Sequence, residues 1–269
     1  METMIDPPPA DRLVGISESI RLVEADAAVA ARSEAHVLIK GEPGVGKAAV
    51  ARLIHRRSAR ARAAFAAIDC AGLPDALLES ELFGHIRGSF RGAYRDKPGL
   101  LELASNGTLF VNGVSDLSAS MQSSLLRFLE SGEIQRVGAL ASSSRADVRL
   151  VAASDQDLDA QVGKGRFCGD LFGRLNAVCL SIPPLRERPE DIPPLTHHFL
   201  QSYCRIHQVP GREMSPVAMD ALVAHPWPGN VRELKNVVER VVLKATGSIV
   251  GLDDLPIDVT PRADYGFVE

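Results

Sequence analysis

Disulfide and zinc chemistry find little support in this chain. The four cysteines, Cys70, Cys168, Cys179 and Cys204, show no C-x-x-C spacing, which points to a reduced, intracellular protein. The seven histidines are scattered. His197-His198, the only close pair, falls on a helical pattern where adjacent side chains diverge by about 100°, so both read as surface or cap residues and no metal site with strong direct ligands is expected. No apolar run approaches the ~18 residues of a membrane span. The polar, Pro-rich start METMIDPPPADR is no signal peptide, and no internal repeat is visible. A cytoplasmic protein with no membrane partner is expected. Excess positive charge is missing too. With 30 Lys+Arg against 34 Asp+Glu the net charge is −4, which argues against a chain that coats DNA, although a local basic face is still allowed.

What is present is enough apolar residue, 45% of 269, for one large domain or a large one with a small one. Short apolar runs at VLIK (37–40), FAAIDC (65–70), TLFVN (108–112), DVRLVAASD (147–155) and AVCLSI (177–182) read as strands. Helical patterns lie between them, at 73–84 and at 118–131, where Met121, Leu125, Leu126 and Leu129 recur at helical spacing. This alternation predicts an α/β fold, a parallel, doubly wound sheet. PPLRERPEDIPP (183–194) is Pro-rich and charged and reads as a connector. Three helical patterns follow at 191–206, 215–225 and 230–246, with no strand between them. The expected division is a flexible lead-in (1–11), an α/β domain (12–185), a small all-helical domain (186–258) and a flexible tail (259–269). GHIRGSFRGAYRDKPG (84–99) reads as a basic, Gly-rich loop, and 138–147 as a flexible turn.

Gly41-Glu42-Pro43-Gly44-Val45-Gly46-Lys47 fits G-x-x-x-x-G-K, follows a strand and opens a helix, as a phosphate-binding loop requires. Its glycines let backbone N–H groups converge on an anion, the helix N-terminus adds partial positive charge, and Lys47 supplies a point charge. Ala48 stands where a Ser/Thr hydroxyl commonly holds Mg²⁺, and Ala49 follows it in the first helical turn. The strand TLFVN ends in Asn112-Gly113, where many nucleotide-hydrolysing proteins place two acids. Asn-Gly is also a favoured hairpin turn, but VSDLSAS after it leads into a helix, which favours a substituted acid pair.

GEPGVGK, LLESELFGHIRGSFRGA, GTLFVNGV, SIPPLRERPEDIPPL and HPWPGNVRELKNVVERVV occur in that order. Together they resemble the central AAA+ ATPase module of bacterial sigma-54-dependent transcription activators, over about residues 12–258. The resemblance implies a P-loop AAA+ α/β/α domain with a helical lid. It implies homo- or hetero-oligomeric rings that bind ATP or ADP between subunits, and a surface loop that engages the sigma factor–RNA polymerase complex. Mapped residue by residue, Leu13, Val14 and Gly15 would lie against the adenine. Arg232 would be the lid arginine and Arg174 an arginine finger. Gly88-Ser89-Phe90-Arg91-Gly92-Ala93 would be the partner-contact loop, where the family carries GAFTGA.

The departures cluster around the terminal phosphate. The family's strand-end Asp-Glu pair is Asn112-Gly113 here, which removes a charge and a group able to activate water, commonly worth ~10²–10⁴ in rate. An earlier family arginine aligns with Cys168. Hydrolysis is therefore expected to be weak or lost, and Mg²⁺ binding weakened. Two acids, Asp69 and Asp155, stand where the family has Asn, and either is a candidate substitute metal ligand or base. Arg91 replaces the family's Thr, so the contact loop is basic, with Arg87 and Arg95 beside it. No DNA-binding helix-turn-helix is expected after the last helix. Three readings stay open: a nucleotide-binding regulator with impaired hydrolysis, an active ATPase using substitute acids, and a nucleotide-free interaction scaffold.

Overall fold

A computed structural model describes residues 12–141, 144–245 and 247–257; the expected lead-in and tail lie outside these residues. Its principal sheet has five parallel strands, β1 (Val37–Lys40), β2 (Phe65–Asp69), β3 (Thr108–Asn112), β4 (Arg149–Ser154) and β5 (Val178–Ser181), in the order β2-β3-β4-β1-β5. Apart from a single turn at Leu100–Leu103, the α-helices of this unit are α1 (Glu18–Ala31), α2 (Lys47–Arg56), α3 (Asp75–Phe83), α4 (Ala119–Ser131), α5 (Leu158–Gly163) and α6 (Gly169–Leu175).

The strand side chains sort by alternation. Leu38, Leu109, Val111, Leu150 and Ala152 face a core completed by Leu78 of α3, Leu125 of α4 and Leu171 of α6. Their neighbours Val37, Ile39, Phe110, Val151 and Ala153 face the other way, against Val23 of α1 and Leu53 of α2. Helices thus cover both faces, which is why every residue of β4 is buried and why the strands read as continuous apolar runs rather than alternating ones. Local chemistry sets the helix limits. Ser118 caps α4 by accepting from the Met121 amide at 3.3 Å, and Gly132 ends it in a left-handed conformation. Arg149, 1% exposed, donates to Ala30 O at 2.7 Å and Ala35 O at 3.1 Å, a cation at the C-terminus of α1, where the helix dipole favours it.

The described chain divides into two compact units. Of the described residues, the α/β unit comprises 12–13 and Glu18–Pro183; the second comprises Val14–Ser17 and those from Pro184 onward. The second unit is built on α7 (Ile192–Ile206), α8 (Pro216–Ala224) and α9 (Asn230–Lys244) around Leu195, Leu200, Leu222, Leu234 and Val238. It is not wholly free of strand. Glu213–Met214 pairs parallel with Ile249–Val250, a ladder too short to leave a periodic trace in the sequence. The stretch read as a connector carries the boundary between the units and forms two 3₁₀ turns with Leu185, Arg188 and Asp191 buried among them. Its charges are compatible with burial because they satisfy one another and nearby amides. His197 and His198 of α7 are both exposed.

Trp227, the chain's one tryptophan, is fully buried in this helical core, and its indole N–H donates to Leu222 O at 2.8 Å. Trp227→Ala is expected to destabilise the protein by about 3–5 kcal/mol, read by urea denaturation followed by circular dichroism.

The basic stretch 84–99 is a hairpin rather than a free loop. Gly84–His85 pairs antiparallel with Lys97–Pro98, and a second hairpin pairs Glu133–Ile134 with Ser144–Arg145. The two are laced together: Val137 N–H donates to Gly84 O at 2.9 Å, and Ile86 N–H donates to Val137 O at 3.1 Å.

Candidate nucleotide site

The phosphate-type loop leaves β1 at the carboxyl edge of the parallel sheet, where α/β folds gather their ligand-binding groups. Gly41 N–H donates to Ser154 O at the end of β4, fixing the loop's root. A Cβ on Gly41 would lie 2.9 Å from Ile182 O and 3.0 Å from Val45 Cγ2, and the residue's φ is +156°, so only glycine fits. Gly44 and Gly46 also have positive φ, 81° and 110°. Val45 N–H closes a turn on Glu42 O, and Gly46 opens α2 as its cap. Lys47 is 9% exposed, with Nζ 2.6 Å from Gly41 O and 3.1 Å from Glu42 O. Its ammonium therefore lies across its own loop. Ala48 and Ala49 bring no hydroxyl. This cradle of permissive glycines, a helix N-terminus and one cation fits a phosphate chain.

The strand-end residues meet beside it. Asp69 and Asn112 are register partners on β2 and β3, and Asn112 Nδ2 donates to Asp69 Oδ2 at 3.0 Å. The other Asp69 oxygen accepts the Ala71 amide at 3.1 Å. Where the resembling family has a neutral side chain on the first strand and an acid on the second, this chain has the acid first and the amide second. Asn112-Gly113 is no hairpin: β3 pairs only in parallel, and a 3₁₀ turn, Val114–Asp116, follows it. Gly113 has φ +73°, and a Cβ there would lie 3.1 Å from Asp116 Oδ2 and 3.7 Å from Asp69 Oδ1.

Asp116 is an acid of this site that the sequence reading missed; its place one 3₁₀ turn past the strand-end pair was the available signal. Its pKa is raised by burial first, then by Asp155 and Asp69. Burial, with Asp69 and Asp116 adding to it, pushes the Cys70 thiol up to about 12. The edge around Gly113 is thus anionic. Even so, among the described residues no group of three or more His, Cys, Asp or Glu is arranged to hold a metal ion. A raised carboxyl pKa means that ionised Asp116 is disfavoured in the folded chain, a penalty relieved as pH falls through that pKa. Asp116→Asn is therefore expected to raise the melting temperature at pH 7. Allowing for solvent screening the gain is at most about 0.5 kcal/mol, or about 1–2 °C, and it shrinks in a pH series as acid titrates the native side chain.

The remaining predicted residues fall on the following elements. Arg174, on α6, donates to Glu130 of α4 at 3.2 Å, with both side chains about half exposed. Cys168 sits just before α6, its amide held by Gln122 Oε1 at 2.8 Å. Arg232 lies in the first turn of α9, in the helical unit. Leu13 packs on the α/β core, while Val14 packs on the helical core and Gly15 belongs to that unit. In the basic hairpin, Gly88 N–H donates to Ala93 O at 2.8 Å and Ala93 N–H to Phe90 O at 3.0 Å, closing a tight tip. Ser89 Oγ donates to Ile86 O at 2.8 Å, and the Phe90 ring, 42% exposed, meets His85 edge-on at 5.0 Å. Arg91 and Gly92 are exposed at the tip, and Ala93 is buried.

Residues 13–181 match the family model described as "Sigma-54 interaction domain", and residues 186–266 match "AAA+ ATPase lid domain". The chain is similar to the transcriptional regulatory protein ZraR of Klebsiella oxytoca, at 46% identity over 94% of this chain and 57% of ZraR. It is similar to the regulatory protein AtoC of Escherichia coli K12, at 46% identity over 86% of this chain and 50% of AtoC. It therefore spans little more than half the length of these relatives. Crystal structures of NtrX from Brucella abortus with ADP and with ATP superpose with TM-scores of 0.82 and 0.81, at 33% and 34% identity, over 94% and 92% of this chain and 57% of each NtrX chain. No helix among the described residues is long and apolar enough to cross a membrane. With a P-loop α/β fold, a lid match and a sigma-54 interaction match across most of its length, this chain belongs to the AAA+ family of sigma-54-dependent transcription activators.

Proposed function

We propose that this chain is a cytoplasmic, ATP- or ADP-binding AAA+ module that regulates transcription initiation with impaired ATP hydrolysis. The observation that carries the reading is Asn112-Gly113 at the end of β3: an amide tied to Asp69 at 3.0 Å, followed by a residue with no side chain. Gly41 to Lys47, with Ala48 and Ala49, hold the phosphates. Leu13, Val14 and Gly15 receive the base, and Arg232 is the lid arginine among the nucleotide-binding residues. The functional division runs at residues 12–185 and 186–258. Mg²⁺ is held weakly, because Ala48 and Asn112 supply no charged ligand and no hydroxyl.

The module works in a homo- or hetero-oligomeric ring, where Arg174 exchanges its Glu130 partner for a neighbouring subunit's nucleotide. Residues 88–93 form the partner-contact tip toward the sigma factor and RNA polymerase, with Arg91 altering its charge. The likeness to NtrX, whose structures carry ADP and ATP, supports the nucleotide assignment.

One observation favours a second reading, slow turnover through substitute acids: the carboxylate of Asp69 stands one strand away from the family's position and is hydrogen-bonded to Asn112, with Asp155 on the next strand's end. Titration of a fluorescent ATP analogue with and without Mg²⁺, alongside steady-state phosphate release, tests both. Binding without release supports the first reading. Release abolished by Asp69→Asn or Asp155→Asn supports the second. No nucleotide binding under either condition refutes both and leaves an interaction scaffold.

A further inference from the structure

Around the two laced hairpins several cations are neutralised. Lys97 meets Glu81 at 2.6 Å, Arg136 meets Glu102 at 2.7 Å and Arg145 meets Glu133 at 2.8 Å. The arm between residues 86 and 96 differs. Arg87, Arg91 and Arg95 are all exposed, and among the described residues none of their guanidinium groups has an ion-pair partner. Asp96 is the one acid in this segment, and its Oδ1 accepts the Arg87 amide at 2.7 Å. That bond ties the two limbs together below the tip, so Arg87 and Arg95 stand on opposite limbs at nearly the same level, with Arg91 at the turn between them. Three arginines against one aspartate give the segment a charge of 3 − 1 = +2, in a chain whose net charge is −4. Like charges set across a hairpin destabilise it, unless an anion is shared between them. The same segment displays an aromatic ring. Tyr94 is 86% exposed, and whereas Phe90 meets His85 edge-on, Tyr94 has no ring contact among the described residues. A lone exposed apolar residue is ordinary. A flat ring set among three unpaired guanidinium groups is the combination that holds a nucleic-acid strand, with cations on the phosphates and the ring on a base.

We infer that the arm is a contact site for single-stranded nucleic acid, with Arg87, Arg91 and Arg95 on phosphates and Tyr94 as the platform for one unpaired base. A duplex offers phosphates, but its bases are already stacked on one another and leave no face for Tyr94. An acidic polypeptide offers carboxylates and leaves the ring without a partner. Arg91 stands where the resembling family has Thr, so part of this charge is the chain's own. The inference goes beyond the protein contact proposed for the tip. It uses residues of the α/β unit alone and does not depend on whether nucleotide binds.

The test is fluorescence anisotropy of a labelled oligothymidylate about 12 nucleotides long, titrated with the full chain between about 50 and 200 mM salt. Competitors are a duplex of the same length and poly-glutamate. The parent is expected to bind with a log–log salt slope of about −2, because each phosphate contact on a single strand contributes about 0.7. Arg91→Thr is expected to take about 0.7 off that slope. Tyr94→Ala is expected to weaken binding about tenfold with the slope unchanged, and Tyr94→Phe to keep the parent's affinity, since stacking needs the ring and not the hydroxyl. All the replaced side chains are exposed, so melting curves should match the parent's. Failure of the parent to bind the oligonucleotide at the lowest salt overturns the inference. So does Tyr94→Ala binding as tightly as the parent. Displacement by the duplex or by poly-glutamate as effective as that by unlabelled oligothymidylate also overturns it, because the arm is then a general anion surface.

Discussion

The triple variant Asp69→Asn/Asn112→Asp/Gly113→Glu is expected to raise Mg²⁺-dependent phosphate release by about 10²–10³-fold over the parent. A positioned base alone is commonly worth ~10²–10⁴, and the lower part of that range applies because these groups act as a unit and the remainder of the site is unoptimised. The first two changes exchange an amide and an acid that are already hydrogen-bonded register partners at 3.0 Å. The exchanged pair keeps the same donor and acceptor inventory and should melt within about 0.5 kcal/mol of the parent. Asn112→Asp alone should not, because it sets two carboxylates side by side, and one must then take a proton or a cation.

Gly113→Glu adds a separate penalty. Position 113 has φ +73°, and the new Cβ would come within 3.1 Å of Asp116 Oδ2. A left-handed non-glycine residue costs about 1 kcal/mol, so the triple variant should be slightly less stable yet faster. Steady-state phosphate release with melting curves checks both. If the triple variant releases phosphate no faster than the parent, the missing strand-end acids are not what limits turnover.

Lys47→Met is expected to weaken ATP binding by about 10²–10³-fold. Its Nζ is already within hydrogen-bond reach of Gly41 O and Glu42 O, so a phosphate entering the loop finds a cation pre-positioned in a nearly dry setting. Charge-assisted hydrogen bonds contribute about 1.5–3 kcal/mol each, and losing the ammonium removes at least one with its Coulomb attraction. Lys47→Arg is expected to restore little, since a planar guanidinium does not fill the place of a compact ammonium. The parent should gain about 2.7 kcal/mol of apparent stability at nucleotide concentrations of 100 Kd, and the Met variant almost none at the same concentration. Equal thermal shifts in both chains would remove Lys47 from the phosphate site.

Much of the fold was legible because the local signals agree with one another. The five apolar runs became the five strands nearly to the residue, and the Met121–Leu125–Leu129 spacing became α4, since buried strands and one-sided helices each carry a period of their own. The phosphate loop was legible because glycines, strand and helix must coincide there. What escaped was set by tertiary pairing. PPLRERPEDIPP looks solvated by composition, but Arg188 and Asp191 are buried because each meets a partner, and Asp191's main partners lie about 175 positions away in sequence. Asp116 escaped for a related reason: its part in the site follows from how Val114–Asp116 folds back beside Gly113, which spacing does not reveal. The Asp69–Asn112 exchange was visible as two separate departures; only the register of β2 on β3 makes them one event.

The lacing of the two hairpins has a mechanical corollary. Val137 gives its hydrogen to Gly84 and takes one from Ile86, so it is gripped from both sides by the root of the arm that displays Phe90 and Arg91. A tug on residues 133–141 is then transmitted as a lever stroke to the arm's tip.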